Sequence, residues 1–138
     1  MARATPEVIA ALRTTATRLQ AGAPYQWGHA GMCNCGHLAQ TVTQLPKAEI
    51  HREVAGEWSE YLEDRCPLTG ERIDDLAAAM ERFGFSPAEL VDLERLSDPV
   101  VLRALPGGHR WLDHNQRDDV VVYLQAWADV LESQRRSA

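Results

Sequence analysis

Apolar residues recur along the chain at intervals of three and four, the spacing that places side chains on one face of an α-helix. The first such stripe consists of Val8, Leu12, Ala16 and Leu19. Thr5-Pro6-Glu7 precedes the stripe and Gly22 follows it, and residues of these types commonly begin and end helices. The pattern predicts a first helix over about residues 6–20.

Similar signals predict the other elements, and no segment alternates with a period of two over a useful length. The last helix is indicated by a stripe at Val120, Leu124, Trp127 and Leu131. The sequence therefore predicts an all-α fold, an irregular compact bundle of six or seven helices in a single domain (1–138), with 1–5 and 134–138 frayed. The helices after the first are predicted to run from Cys35 to Leu45 with Asn34 as N-cap, from Pro46 to about Asp64, from Glu71 to Phe83, from Ser86 to Leu96, from Ser97 to the turn at Pro106, and from Gln116 to Ser133.

Composition and charge narrow the classes of partner. The chain has 138 residues, 25% of them charged, with a formal net charge of −6. Because phosphate binding needs clustered Lys and Arg, this balance argues against a nucleic-acid partner. No run approaches the roughly 20 apolar residues that span a bilayer, and no signal-peptide core begins the chain. We therefore expect a cytoplasmic protein without a membrane partner. A homodimer that forms through the Val122 side of the last helix is a further hypothesis. No small-molecule substrate is indicated.

The strongest chemical character lies in three cysteines and the nearby histidines. Cys33, Cys35 and His37 are close in sequence, and Cys66 follows on a Pro-Gly turn. Thiolate and imidazole suit zinc or an iron–sulfur cluster, with zinc favoured. The sequence predicts a metal site that joins the loop of residues 25–37 to the turn at Cys66, and three protein ligands would leave a position open for hydrolytic chemistry. The histidines that could complete the ligand set are His29, His37 and His51.

A second hypothesis assigns a reactive thiol to Cys35. This residue is predicted at a helix N-terminus, where free N–H groups and the helix dipole favour the thiolate. His37, His29 or His51 would act as the base, and the Gly36 amide would contribute to an oxyanion site. The hypothesis describes a cysteine-dependent enzyme or a thiol redox sensor, so whether the chain is an enzyme stays open.

Residues 23–28 and 35–40 resemble the nucleophile region of NlpC/P60 cysteine peptidases, which shows a Tyr-x-Trp-Gly segment before a cysteine that opens a helix. The resemblance implies that Cys35 corresponds to the nucleophile. The family's Asp-Cys-Ser-Gly core is replaced by Asn34-Cys35-Gly36-His37, and its downstream β-strands, one with the catalytic histidine, have no counterpart among the predicted helices. Peptidase activity is therefore not carried over to this chain.

A third hypothesis gives the cysteines no chemistry. Free cysteines are often buried as small inert side chains, and the protein would then be a helical interaction module. In this interpretation His109 and His114 lie in a solvated loop, and large aromatic side chains anchor the core. The tryptophans expected in the core are Trp27, Trp58, Trp111 and Trp127.

Overall fold

The computed structural model describes residues 2–25, 34–43 and 78–137, and within these ranges the chain is helical and contains no strand. The prediction of an all-α fold is confirmed. The predicted helix from Pro46 to Asp64 and the first part of the next lie outside the described residues. The helices are α1 (Pro6–Gln20), α2 (Asn34–Thr43), α3 (residues 78–83), α4 (Pro87–Arg95), α5 (Pro99–Arg103) and α6 (Arg117–Ser137).

The longest helices, α1 and α6, pack along each other and form the centre of the core. Thr5 begins α1, because its hydroxyl accepts a hydrogen bond from the Val8 amide at 3.2 Å. The indole of Trp127 is buried on α6 and meets the rings of Phe85 and Tyr123 edge-on. Helix α2 packs against both α1 and α4, so its start lies between the core and α4.

The N-terminal segment is held beside the end of α3. Gly84 has a φ of +136°, and a Cβ atom there would lie 2.6 Å from the Cγ2 atom of Val8. The Arg3 amide donates to the Gly84 carbonyl at 3.4 Å, and the Arg3 guanidinium donates to the carbonyl of Glu81 at 3.1 Å. Glycine is therefore required at position 84 by both its backbone conformation and its close approach to α1.

Short capped helices connect α3 to α6. Ser86 and Glu89 form a reciprocal capping box at the start of α4, near the predicted start of this helix. Asp98 begins α5 by accepting from the Val100 amide at 2.8 Å, and its own amide donates to the buried Tyr123 hydroxyl at 3.2 Å. Burial raises the pKa of Tyr123 well above its usual value, so this hydroxyl stays neutral.

Candidate functional site

Asn34 joins the beginning of α2 to the end of α4. Its buried side-chain amide donates from Nδ2 to the carbonyls of Leu93 and Glu94, each at 3.0 Å. These carbonyls belong to the last turn of α4, where intrahelical donors run out. Because a carbonyl can only accept, the two contacts also fix which atom of the Asn34 amide is nitrogen.

Glu94 completes the same connection in the opposite direction. Its carboxylate is fully buried, and Oε2 accepts a hydrogen bond from the Cys35 amide at 3.3 Å. A carboxyl oxygen at the first turn of α2 satisfies a backbone N–H that has no acceptor within the helix. Asn34 and Glu94 thus cap each other's helices, and we call this pair the Asn34–Glu94 cross-cap.

Tyr25 connects the cross-cap to the loop before α6. Its hydroxyl donates to the Asn34 Oδ1 atom at 2.6 Å and also contacts the carbonyl of His114. Its ring stacks near that of His37, with ring centroids 6.3 Å apart. The segment after α1, the start of α2, the end of α4 and the loop before α6 are therefore tied together at one point.

The thiol of Cys35 is buried within this arrangement and donates to the Leu90 carbonyl at 2.9 Å. The Glu94 carboxylate lies against the amide of the same residue. A buried thiol that donates to a backbone carbonyl is shielded from a substrate or an oxidant. The geometry supports a structural thiol at Cys35 and does not support the nucleophile or sensor suggested by its place at a helix start.

His37 and Arg18 form the polar contact between α1 and α2. The His37 Nε2 atom lies 2.7 Å from the Pro24 carbonyl, so Nε2 carries a proton, and Nδ1 faces the Arg18 guanidinium at 3.5 Å. A neutral imidazole fits both contacts. Arg18 also donates to the His37 carbonyl, to Thr41 Oγ1 at 2.8 Å and to Gln40 Oε1 at 2.7 Å. Burial lowers the pKa of Arg18 from its ordinary value.

The prediction of a metal-binding protein is wrong. Nowhere in the described part of the chain do three or more His, Cys, Asp or Glu side chains form a group that could hold a metal ion. Cys35 and His37 lie two positions apart on α2, so their side chains point about 200° apart around the helix and cannot converge. The remaining predicted ligands lie outside the described residues: Cys33, Cys66, His29 and His51.

We expect Cys35 to resist alkylation in the folded protein. Its thiol is fully buried and hydrogen-bonded, so reaction with iodoacetamide should be at least about 100-fold slower than in the unfolded chain. Peptide mapping by mass spectrometry after timed alkylation, with and without guanidinium, measures the rate at Cys35 separately from the other cysteines. A native rate within about threefold of the denatured rate would contradict the structural assignment and restore the reactive-thiol hypothesis.

Trp111 is the second unusual feature, because its side chain is 80% exposed. The expectation that it fills the core is therefore wrong, whereas Trp127 is buried as predicted. Trp111 lies in the loop between α5 and α6, and its ring contacts that of the exposed His109 edge-on at 4.9 Å. We call residues 99–112 the Trp111 segment.

Both ends of the loop that carries Trp111 are fixed. At its start the Gly108 amide donates to the Leu105 carbonyl at 2.9 Å. At its end the Asp113 amide donates to the Asp119 carboxylate at 2.7 Å, and the Asn115 amide donates to Asp113 Oδ1 at 2.9 Å. Together with the contact from Tyr25, these bonds fix the loop that carries the largely exposed indole.

The sequence contained signals for some of these residues. Glu94 follows Leu90 by four positions and Leu93 by one, so it falls on the apolar stripe of α4. Arg18 follows Thr15 by three positions and likewise lies on a buried side of α1. A charged residue in such a register predicts a buried polar partner. Tyr25 lies outside any periodic segment, and no local pattern indicates its role.

Comparison of the chain with protein-family models, with curated proteins and with solved structures found no match. Among the described residues, no helix is long and apolar enough to cross a membrane.

Val122, predicted as an apolar contact on the far side of the last helix, is partly buried and packs against the core. That face of α6 therefore gives no support to a homodimer. The largest exposed apolar side chain of the described residues is Trp111, so the Trp111 segment is the candidate functional site.

Proposed function

We propose that this protein acts as a protein-binding module and that Trp111 is inserted into a partner. The observation that carries the proposal is an indole 80% exposed on a loop whose two ends are fixed. Covering an apolar side chain of this size removes its surface from water and is favourable, and tryptophan is among the residues that most often dominate binding energy. A fixed loop also loses little conformational freedom when it binds.

The buried polar cluster supports a binding role over catalysis. Cys35 donates to a backbone carbonyl, and His37 is engaged with Pro24 and Arg18, so both side chains take part in contacts within the protein. The clefts of about 450 and 330 Å³ on the described surface lie along α1 and α6, where they share Arg13 and Asp129. Their lining contains no cysteine or histidine, so they offer neither a thiol nucleophile nor an imidazole base.

The first test is photo-crosslinking at position 111. Benzoylphenylalanine at Trp111, in the full chain within its native cells, should give a discrete adduct with one partner. The matched control places the same group at Ala10, which is exposed on α1. The partner identified in this way should then be purified, and its affinity for the chain should fall about 30-fold with Trp111→Ala.

Because Trp111 is largely exposed, Trp111→Ala should change the free energy of unfolding by less than about 0.5 kcal/mol. Urea denaturation of the variant therefore separates loss of binding from loss of folding. The proposal is overturned if position 111 gives no adduct beyond that at position 10, or if Trp111→Ala leaves the affinity within about twofold of the original.

A further inference from the structure

The Trp111 segment combines exposed apolar side chains with positive charge in a protein whose net charge is negative. Val100 and Trp111 are the exposed large hydrophobic side chains of the described residues, and both lie in this segment. The segment also contains the exposed Arg103 and Arg110, together with His109, and it has no acidic residue. The whole chain has a formal net charge of −6, so this local balance is opposite in sign to the rest.

The two arginines of the segment are not neutralised by the rest of the described chain. No ion pair among the described residues involves Arg103 or Arg110, since the pairs found there join Arg13 to Asp129 and Arg136 to Glu132. The acids that flank the segment are Asp98 and Asp113, and each accepts a hydrogen bond from a backbone amide. These carboxylates therefore stabilise the ends of the segment, and the guanidinium groups are available to a partner.

We infer that the partner presents an acidic segment with at least one large apolar side chain. The inference rests on the proposed function and specifies its ligand: carboxylates pair with Arg103 and Arg110, and the apolar side chain covers Trp111. Arginine and tryptophan are the residues most enriched where binding energy concentrates, and arginine binds carboxylates through two parallel hydrogen bonds.

Other anionic ligands fit the charges less well. A nucleic acid or an anionic membrane needs several cations arranged along a track, and the segment offers two arginines on a chain that repels phosphates. An acidic peptide needs only a few matched carboxylates and gains further affinity from the indole. Charge complementarity therefore favours a peptide segment of a protein over either alternative.

The test is selection of random 12-residue peptides by the full chain, in parallel with Trp111→Ala and with the double variant Arg103→Glu/Arg110→Glu. The original chain should enrich sequences that combine Asp or Glu with an aromatic or large aliphatic residue. The best such peptide should lose affinity about tenfold for either variant and about tenfold between low and high salt. The double variant should instead enrich Lys and Arg. Arg82→Glu/Arg135→Glu, which changes two exposed arginines elsewhere, is the matched control.

Each alternative result has a distinct meaning. Peptides that depend on Trp111 but are neutral or basic would overturn the acidic ligand and leave the binding function in place. Binding through Trp111 to phosphatidylglycerol vesicles or to a DNA duplex, or a dimer that Trp111→Ala dissolves in light scattering, would also overturn it. The absence of any Trp111-dependent peptide, together with no crosslinked adduct at position 111, would overturn both proposals.

Discussion

The variant Asn34→Asp is expected to lose about 4 kcal/mol of unfolding free energy, because it replaces a donor by an acceptor where both partners can only accept. Two hydrogen bonds to α4 disappear. The new carboxyl oxygen takes the place of Asn34 Nδ2, which lies 3.0 Å from each of the Leu93 and Glu94 carbonyl oxygens. The site is fully buried, so water cannot substitute.

Urea denaturation followed by circular dichroism measures this loss. The matched control is Asn115→Asp, the same chemical change at an exposed asparagine, which should stay within about 0.5 kcal/mol of the original protein. Tyr25→Phe removes only the hydroxyl that donates to Asn34 and should lose about 1 kcal/mol. If Asn34→Asp behaved like Asn115→Asp, the cross-cap would not hold α2 to α4 as described.

The sequence predicted those features that depend on residues close together in the chain. The stripe from Val8 to Leu19 and the caps at Thr5 and Ser86 act within a few residues, so α1 and α4 begin where the pattern places them. The end of α6 was harder to place, because polar residues after Leu131 continue the helix to Ser137 without further apolar contact.

The candidate site depends on contacts between residues far apart in the sequence. The sequence identified one residue of such a contact but not its partner. Asn34 was predicted to begin α2, but its second role depends on Glu94, 60 positions later. Spacing alone identified Cys35 and His37 as potential ligands but gave no directions for their side chains. Once both lie on one helix, each faces a different neighbour, and that difference excludes a shared metal ion.

Trp111 illustrates a limit of arguments from residue type. Most tryptophans are largely buried, so each of the four was expected in the core. What exposes Trp111 is the loop that carries it. That loop is fixed by Asp113 and Asp119, which are 6 positions apart, and by Tyr25, which contacts His114 from 89 positions earlier in the chain. Residues 99–112 combine cations with apolar residues and lack acids, but residues 8–48 do so as well, so this pattern alone does not identify the exposed segment.

The contact between α1 and α2 provides the last prediction. Arg18→Met is expected to lose about 3 kcal/mol, because the methionine keeps much of the apolar stem and donates none of the bonds to His37, Gln40 and Thr41. Arg18→Lys should lose about half as much, since an ammonium carries the charge but cannot span acceptors in the fixed fork of a guanidinium.

Arg13 on the same helix supplies the control for Arg18. Its guanidinium pairs with Asp129 at 3.3 Å, but the two side chains are 50% and 72% exposed, so solvent weakens the interaction. Arg13→Met should therefore change the free energy of unfolding by less than about 0.5 kcal/mol in the same urea titration. If the two variants lost equal free energy of unfolding, any positive charge on α1 would stabilise the protein, and the Arg18 hydrogen bonds would have no special role. A large difference instead assigns the stability to the hydrogen bonds that Arg18 makes with α2.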